Sequence, residues 1–278
     1  MKQIRVIVMD MDGTLLTSDK IVTEYTKKIL RKMKEKGYRI GIASGRPLIG
    51  IMRTVEALGI DDIIQFMVAS NGAQMYDIEK EKEYDFYQLE PEIIHEIIDL
   101  YSPFDLNPYV YQGASCYAYK NDSIIQRAAR NNHLDIQLCD MKKEITKPQS
   151  KLVLSTPPER MADVEAFYEC HKSDRYRAFK SQADMFEFVH PKLSKVYGIE
   201  SYCKEYGYTL DEVISFGDTT NDLEMVRECG VGVCMCNGTD DVKKAADIIT
   251  EKSNDEDGVA QVLENLSKGG THRIWGES

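Results

Sequence analysis

The sequence lacks the long hydrophobic runs and the paired cysteines that would suggest a membrane or secreted protein. Its longest early apolar run, Val6–Met9, stops at Asp10, too short for the apolar part of a signal peptide or for a membrane-spanning helix. The seven cysteines are an odd number scattered along 278 residues, and a chain of this size does not need disulfides for stability. We therefore expect reduced thiols and a cytoplasmic protein.

The chain also lacks an excess of positive charge. It has 35 Lys and Arg against 46 Asp and Glu, a formal net charge of −11. Such a surface repels nucleic-acid backbones and anionic lipids, and no Gly-x-x-x-x-Gly-Lys loop for nucleotide phosphates is present. We expect neither nucleic acid nor a membrane as partner, whereas a small anionic substrate is compatible if a metal ion or local positive site offsets the field.

A zinc site is not supported either. Cys234 and Cys236 are close in sequence, but no second cluster of Cys or His accompanies them at the spacing of zinc ligands. Buried thiols on a strand are the simpler interpretation of these two residues.

What the sequence does contain is a regular alternation of strands and helices at both ends. Short apolar runs alternate with amphipathic segments, which predicts right-handed crossovers and a parallel sheet. The predicted elements are a strand over 4–9, helix Thr23–Lys36, strand Arg39–Ala43, helix Pro47–Leu58 and strand Phe66–Ala69, then helix Lys195–Tyr206, strand Val213–Phe216, helix Asn221–Cys229, strand Val231–Cys234, helix Asp241–Ala246, strand Ile248–Ile249 and helix Gly258–Leu266.

The middle of the chain has a different pattern, with alternating, tyrosine-rich strands and two amphipathic helices. Alternation is typical of an antiparallel sheet with one face open or covered by helices. We predict an α/β protein with a Rossmann-like core formed by residues 1–82 and 191–278, interrupted by an inserted α+β domain over 83–190. Gly269 and Gly270 predict an irregular C-terminal tail. The predicted elements of the insert are strands 108–111, 115–119, 151–155, 175–180 and 185–189 and helices 92–101 and 159–171.

An acidic segment, Asp10-Met11-Asp12-Gly13-Thr14, directly follows the first strand. In open parallel sheets, ligands bind beyond the carboxyl ends of the strands. Two carboxylates one residue apart repel each other, so a positive partner is expected beside them, and Gly13 permits a tight turn. Taken alone, the segment is equally well explained as a surface turn.

A second segment, Ser44-Gly45-Arg46-Pro47, follows the second strand and begins a helix. A hydroxyl group and free backbone N–H groups at a helix N-terminus suit a phosphate. The alternative is an ordinary serine cap with a proline near the first helical position.

Two further segments complete the set. The segment 217–222, with sequence GDTTND, follows a later strand, and Lys195 begins the helix before that strand. Four acidic residues at one sheet edge suggest a hard divalent cation, Mg²⁺ above all, and Lys195 could supply positive charge. A capped helix start and a solvated surface lysine are the alternatives. The four acidic residues are Asp10, Asp12, Asp218 and Asp222.

In this order, the four segments resemble the motifs of the haloacid dehalogenase (HAD) superfamily. The insertion lies between the second and third motifs, as in members with a C2-type cap, and the resemblance covers the core from Ile4 to about Leu266. Ser70-Asn71-Gly72-Ala73 and the stretches 244–250 and 253–259 further resemble the Cof-like phosphatases of this superfamily.

The resemblance implies a Mg²⁺-dependent phosphatase that hydrolyses phosphate monoesters of small metabolites, such as a sugar phosphate or a phosphorylated cofactor, through an aspartyl-phosphate. Asp10 would be the nucleophile, Asp12 the general acid and base, and Ser44 and Lys195 would hold the phosphate oxygens. The implied metal ligands are Asp10, Asp218 and the main-chain carbonyl of Asp12, with Asp222 orienting the metal shell. The implied substrate-binding residues are Gly45, Arg46, Asn71 and Asn221.

Two other functions fit the same motifs. A phosphomutase similar to phosphomannomutase would keep water from the phosphoenzyme, and a catalytically silent HAD-fold protein would be regulatory. The presence of Asp10, Asp12 and Lys195 disfavours a silent protein.

The inserted domain is expected to close over the site, and most of its tyrosines are expected to serve sheet packing. We expect the protein to be a monomer or a weak homo-oligomer.

Overall fold

A computed structural model describes residues 3–268 of the chain. Within this range the chain forms two compact units, one from residues 3–48, 55–84 and 194–268 and the other from 49–54 and 85–193. The predicted C-terminal tail with Gly269 and Gly270 lies outside the described residues. No helix in the described range is long and apolar enough to cross a bilayer.

Short strands and helices follow one another along the described chain. In chain order they are β1 (Val6–Met9), α1 (Glu24–Glu35), β2 (Arg39–Ala43), α2 (Leu48–Ala57), β3 (Phe66–Ala69), β4 (Gln74–Asp77), β5 (Lys82–Asp85), α3 (Pro91–Leu100), β6 (Asn107–Gln112), β7 (Ser115–Ala118), α4 (Ser123–Asn131), β8 (Asp135–Leu138), α5 (Met141–Glu144), β9 (Leu152–Ser155), α6 (Met161–Cys170), β10 (Arg177–Gln182), β11 (Met185–Val189), α7 (Lys195–Glu205), β12 (Val213–Gly217), α8 (Leu223–Glu228), β13 (Val231–Cys234), α9 (Asp240–Ala245), β14 (Ile248–Ile249) and α10 (Gly258–Ser267).

The first unit is built on an eight-stranded sheet in the order β14-β13-β12-β1-β2-β3-β4-β5. The pairs from β14 to β3 are parallel, and all four residues of β1 are buried, as expected for strands covered on both faces. The predicted α/β fold with a parallel sheet is therefore confirmed. The sequence did not predict β4 and β5. β4 pairs antiparallel with β3, because the connection over 70–73 is too short for a crossover helix.

The sequence of helix α1 explains where this helix begins, which face it buries and where it ends. The Thr23 hydroxyl accepts the N–H of Thr26 at 3.1 Å, which satisfies one of the free donors at the helix start. The buried face carries Ile29, Leu30 and Met33. The helix ends before Gly37, whose φ of 90° is the left-handed conformation common after a helix C-terminus. The predicted helix Thr23–Lys36 is therefore confirmed, with these two residues as its caps.

The second unit contains a six-stranded sheet in the order β10-β11-β9-β6-β7-β8. One face packs against α3 and α6 through a cluster that includes Ile94, Val164 and Phe188. The other face packs against α4 through a cluster that includes Tyr109 and Ile125. Both clusters are apolar and buried, so each face of this sheet has its own core.

The predicted antiparallel sheet is present in this unit, with one parallel pair as an exception. β7 and β8 are parallel, with Cys116 opposite Ile136, because α4 connects them and acts as a crossover. Helix α4 was not predicted from the sequence, because it has only nine residues and buries only Ile125, Ala128 and Ala129. Strand β8 was not predicted either, because it has only four residues and none of them is buried.

Polar residues follow the carboxyl ends of three neighbouring strands of the first unit, at one edge of its sheet. β1, β2 and β12 run parallel, with Met9 level with Ile42 and with Phe216. Asp10, Ser44 and Asp218 follow the ends of these strands. The carboxyl ends of the strands therefore bring the predicted motifs together.

Candidate active site

A buried lysine lies between two carboxylates at this sheet edge. The Lys195 ammonium donates hydrogen bonds to Asp10 Oδ1 and to Asp222 Oδ1, both at 2.6 Å. The Lys195 side chain is 1% exposed. Burial alone would lower the pKa of Lys195, but the charges of Asp10 and Asp222 outweigh it and raise that pKa above its ordinary value. The lysine is therefore held as an ammonium ion.

A third carboxylate makes this cluster strongly acidic. Oxygens of Asp10, Asp218 and Asp222 all lie within 4.8 Å of one another. Burial and the charges of the other two carboxylates raise the pKa of Asp10 well above its ordinary value, against the lowering effect of Lys195. Burial and the charge of Asp222 raise the pKa of Asp218 to about 6. Three crowded carboxylates with a single ammonium fit a divalent cation, which would favour their ionised forms.

The loop after β1 is shaped to approach Asp218. Gly13 has a φ of 85°, and a Cβ at this position would lie 2.4 Å from Asp218 Oδ2, so only glycine fits. The Thr14 hydroxyl donates to Asp218 Oδ1 at 2.8 Å. The Asn237 amide donates to the Gly13 carbonyl at 2.9 Å. These contacts fix the position of Asp218 relative to the acidic segment.

Asp222 holds the neighbouring loop as well as the lysine. Its Oδ2 accepts the backbone N–H groups of Asp218 at 3.0 Å and Thr219 at 3.2 Å. Its Oδ1 accepts from Lys195, and the residue is fully buried. Both oxygens of Asp222 thus have donors within the protein.

The start of α7 is positioned by the turn after β3. Gly72 has a φ of 100°, and a Cβ there would lie 2.0 Å from the Ser194 carbonyl oxygen. The missing side chain lets the turn pack directly against the residue that precedes Lys195. No other amino acid could occupy this close approach without moving the backbone.

The structure also brings Ser44, Gly45, Asn71 and Asn221 together. Ser44 is 2% exposed, and its hydroxyl accepts the Arg46 N–H at 3.3 Å. The Asn71 N–H donates to the Ser44 carbonyl at 3.1 Å, and the Asn221 amide donates to Asn71 Oδ1 at 3.5 Å. A Cβ on Gly45 would lie 3.2 Å from Asn71 Oδ1. Four of the predicted residues therefore form one polar wall.

Asp12 has surroundings of the opposite sign. Arg46 donates from Nε to Oδ2 and from Nη2 to Oδ1, both at 2.8 Å, and Lys20 donates to Oδ1 at 2.9 Å. Burial would raise the pKa of Asp12, but hydrogen bonds and charges of Arg46 and then of Lys20 lower it to about 2. The Asp12 side chain is 40% exposed, against 8% for Asp10. Its carboxylate is not part of the acidic cluster, and the metal contact of its main-chain carbonyl stays a prediction.

Two contacts were not predicted from the sequence. Lys20 lies in a polar loop, where a single lysine carries no signal. The pairing of Arg46 with Asp12 joins residues 34 positions apart, and the sequence analysis assigned Arg46 to the substrate instead. The proximity of their two strands was the only signal that could have suggested this pair.

A sequence model of the haloacid dehalogenase-like hydrolases matches residues 7–263. The chain belongs to this family. The predicted family and the predicted class of enzyme, a hydrolase, are thereby confirmed.

Known proteins and solved structures resemble the chain over nearly its full length. A 5-amino-6-(5-phospho-D-ribitylamino)uracil phosphatase of Bacillus subtilis is 24% identical over 261 residues, 92% of this chain and 95% of that protein. A haloacid dehalogenase-like hydrolase from Bacteroides thetaiotaomicron is 30% identical, with a TM-score of 0.85 over 95% of this chain and 100% of that one. A Thermotoga maritima protein is 29% identical, with a TM-score of 0.81 over 95% and 97% of the two chains.

Proposed function

We propose that the protein is a Mg²⁺-dependent phosphatase that hydrolyses phosphate monoesters of small metabolites through an aspartyl-phosphate. The observation that carries this proposal is the buried cluster of Asp10, Asp218 and Asp222 around Lys195 at the carboxyl edge of the sheet. Phosphoryl transfer depends on positioning and on cationic groups around the phosphate oxygens. The cluster offers a carboxylate nucleophile, a fixed ammonium ion and ligands for a dication.

The residues of the cluster divide into metal ligands and supports. Asp10, Asp218 and the main-chain carbonyl of Asp12 would hold Mg²⁺, which prefers such oxygen ligands. When bound, the ion neutralises charge so that carboxylate and phosphate can approach each other. Asp222 acts through Lys195 and through the N–H groups of the loop after β12, and so orients the metal shell.

The proposed catalytic and substrate-binding roles follow from where each residue lies at the carboxyl edge of the sheet. Asp10 attacks phosphorus, and Asp12 protonates the leaving oxygen and later takes a proton from the hydrolytic water. Ser44 and Lys195 hold the equatorial oxygens of the phosphate. Gly45, Asn71 and Asn221 contact the substrate from the polar wall, and Arg46 contacts it from its position beside Asp12.

The two parts of the chain have different roles in the proposed function. Residues 1–82 and 191–278 form the catalytic core, and residues 83–190 act as a cap that selects the leaving group. Tyr109 in the cap is fully buried, and its hydroxyl donates to Met185 Sδ at 3.4 Å, which supports a packing role for this tyrosine. The substrate class is a sugar phosphate or a phosphorylated cofactor, since a relative is named for a phosphorylated ribitylaminouracil.

The test is release of inorganic phosphate by the purified protein from 4-nitrophenyl phosphate and from a panel of phosphorylated metabolites. Release should require Mg²⁺ and stop on addition of EDTA. A phosphomutase would instead accumulate phosphoenzyme and transfer the phosphoryl group to a sugar phosphate acceptor. Absence of phosphate release from every compound, with Mg²⁺ present, would contradict the proposal.

A further inference from the structure

The carboxylate of Asp12 has cationic donors on both oxygens. Oδ2 accepts from Arg46 Nε at 2.8 Å, and Oδ1 accepts from Arg46 Nη2 at 2.8 Å and from Lys20 Nζ at 2.9 Å. A general acid must have one oxygen within hydrogen-bond reach of the leaving group. Cationic donors on both oxygens also oppose the protonation that a general acid needs, so one of the present contacts must be exchanged during turnover, if the proposed function is correct.

The loop that carries Lys20 is built to aim it at Asp12. Lys20 has a φ of 61°, a left-handed conformation that costs a lysine free energy and persists only where the surroundings enforce it. The Lys20 N–H donates to the Thr17 carbonyl at 2.9 Å, and the Thr17 N–H donates to the Ile21 carbonyl at 3.0 Å. Together these bonds close a tight turn around Lys20.

The same loop is tied to the body of the first unit. Ser18 donates its backbone N–H and its hydroxyl to the two carboxylate oxygens of Asp255, at 2.6 and 2.7 Å. Lys20 is thus held by a structured turn, although its side chain is 56% exposed.

Unlike Lys20, Arg46 lies where a bound phosphate competes with Asp12 for its guanidinium group. It lies two residues after Ser44, at the proposed phosphate site, and its guanidinium forms a two-pronged contact with a carboxylate. Phosphate matches that fork at least as well as carboxylate and carries more charge. A phosphate bound beside Ser44 therefore competes with Asp12 for Arg46.

We propose that Lys20 is a positioning residue for Asp12 and that Arg46 is the partner that is exchanged. Phosphate binding draws the Arg46 guanidinium from Oδ2, while Lys20 stays on Oδ1 and keeps the carboxyl group oriented. With Arg46 withdrawn, Oδ2 takes up a proton from solvent, and as the bond from Asp10 to phosphorus forms and the bond to the leaving oxygen breaks, that proton passes to the leaving oxygen. Oδ2 then takes a proton from the water that cleaves the aspartyl-phosphate. It loses this proton to solvent when phosphate leaves and Arg46 returns, which restores the ionised carboxylate of the starting state.

The experiment compares two aryl substrates of similar size on the Lys20→Met variant. Phenyl phosphate releases a strongly basic oxygen that needs a proton, whereas 4-nitrophenyl phosphate releases a weakly basic one. We expect kcat/KM for phenyl phosphate to fall at least ~10-fold, a fraction of the 10²–10⁴ typical of general acid catalysis. For 4-nitrophenyl phosphate kcat/KM should change less than about 3-fold, because kcat/KM covers only the steps up to departure of the leaving group. Lys20→Arg should recover most of the loss.

Two further variants separate the roles. Lys28→Met, which removes an exposed lysine of the same unit, is the matched control and should leave both substrates unaffected. Arg46→Met should raise KM for both substrates by a similar factor, because Arg46 moves to the phosphate that they share.

Equal losses on both substrates in Lys20→Met, or no loss on either, would overturn the inference while leaving the phosphatase in place. A wild-type protein that hydrolyses neither substrate, nor any metabolite of the panel, would remove the proposed function and the inference with it.

Discussion

Asp10 and Asp12 are two residues apart at the end of one strand, yet they lie in opposite electrostatic surroundings. Asp10 is buried among two further carboxylates and one ammonium ion, and its pKa is raised well above the ordinary value, first by burial. Asp12 is more exposed and contacts two cations, and its pKa is lowered to about 2.

The difference follows from what the neighbouring chain segments carry. Asp10 follows the buried strand β1 and lies beside the loop after β12, where burial and like charges disfavour an ionised carboxylate and favour a bound cation. Asp12 points toward the polar loop with Lys20 and toward Arg46. The two regions therefore differ in the tasks that we propose for them, a metal-assisted nucleophile at Asp10 and, once Arg46 is exchanged, proton transfer at Asp12.

The largest expected effect separates these two tasks directly. Asp10→Asn should lower kcat by at least ~10³ on every substrate, because no step can proceed without the nucleophile. Asp12→Asn should lower kcat/KM by ~10²–10⁴ on phenyl phosphate and far less on 4-nitrophenyl phosphate, because kcat/KM excludes the later step in which Asp12 acts as a base. Steady-state kinetics on both substrates, with circular dichroism as the check of folding, gives the result.

If each variant lost the same factor of activity on phenyl phosphate as on 4-nitrophenyl phosphate, the proposed difference between Asp10 and Asp12 would be wrong. The two carboxylates would then act as a single unit rather than in separate steps.

The next effect tests the ammonium ion of the Asp10 region. Lys195→Met should lower kcat/KM by ~10²–10³, the loss typical of a donor that stabilises transition-state charge. It should also destabilise the protein by about 3–5 kcal/mol, because two buried carboxylates lose their partner. Phosphate release and urea denaturation measure the two losses.

The matched control is Lys151→Met in the second unit. Lys151 is also buried, 4% exposed, and donates to Glu187 at 2.9 Å. It should lose comparable stability while keeping kcat on 4-nitrophenyl phosphate. An equal loss of kcat in both variants would show that the effect of Lys195 comes from stability rather than from the site.

The Asp10 region could be predicted from the sequence to a greater extent than the Asp12 region. The positions of Asp10, Ser44 and Asp218 followed from strand ends, and the bounds of β2 and β3 matched the prediction, because buried parallel strands have continuous apolar runs. The contacts of Lys20 and Arg46 with Asp12 could not be read, since they depend on a loop conformation and on pairing between distant segments. The nine-residue α4 and the exposed β8 were not predicted either, because each is short and buries few or no residues.

The smallest expected effect is a pH dependence in the Asp12 region. Because the pKa of Asp12 is lowered in the folded protein to about 2, below the ~3.9 of an unfolded chain, its contacts add stability above about pH 4 that is lost as the pH falls toward 2. The side chain is 40% exposed, so after solvent screening we expect no more than about 1 kcal/mol. Urea denaturation of wild type and Asp12→Asn from pH 6 to pH 3 should show their difference shrinking. A difference that grows as the pH falls would mean that the cations do not favour the ionised carboxyl group.

The most direct test of the account is to identify the residue that carries the phosphoryl group during turnover. The protein would be mixed with Mg²⁺ and substrate, quenched in acid within milliseconds, digested and examined by mass spectrometry. The account predicts one phosphoryl group on the peptide that contains Asp10, labile to hydroxylamine and absent from Asp10→Asn. A phosphoryl group on another residue, or phosphate release with no modified peptide at any time point, would contradict it.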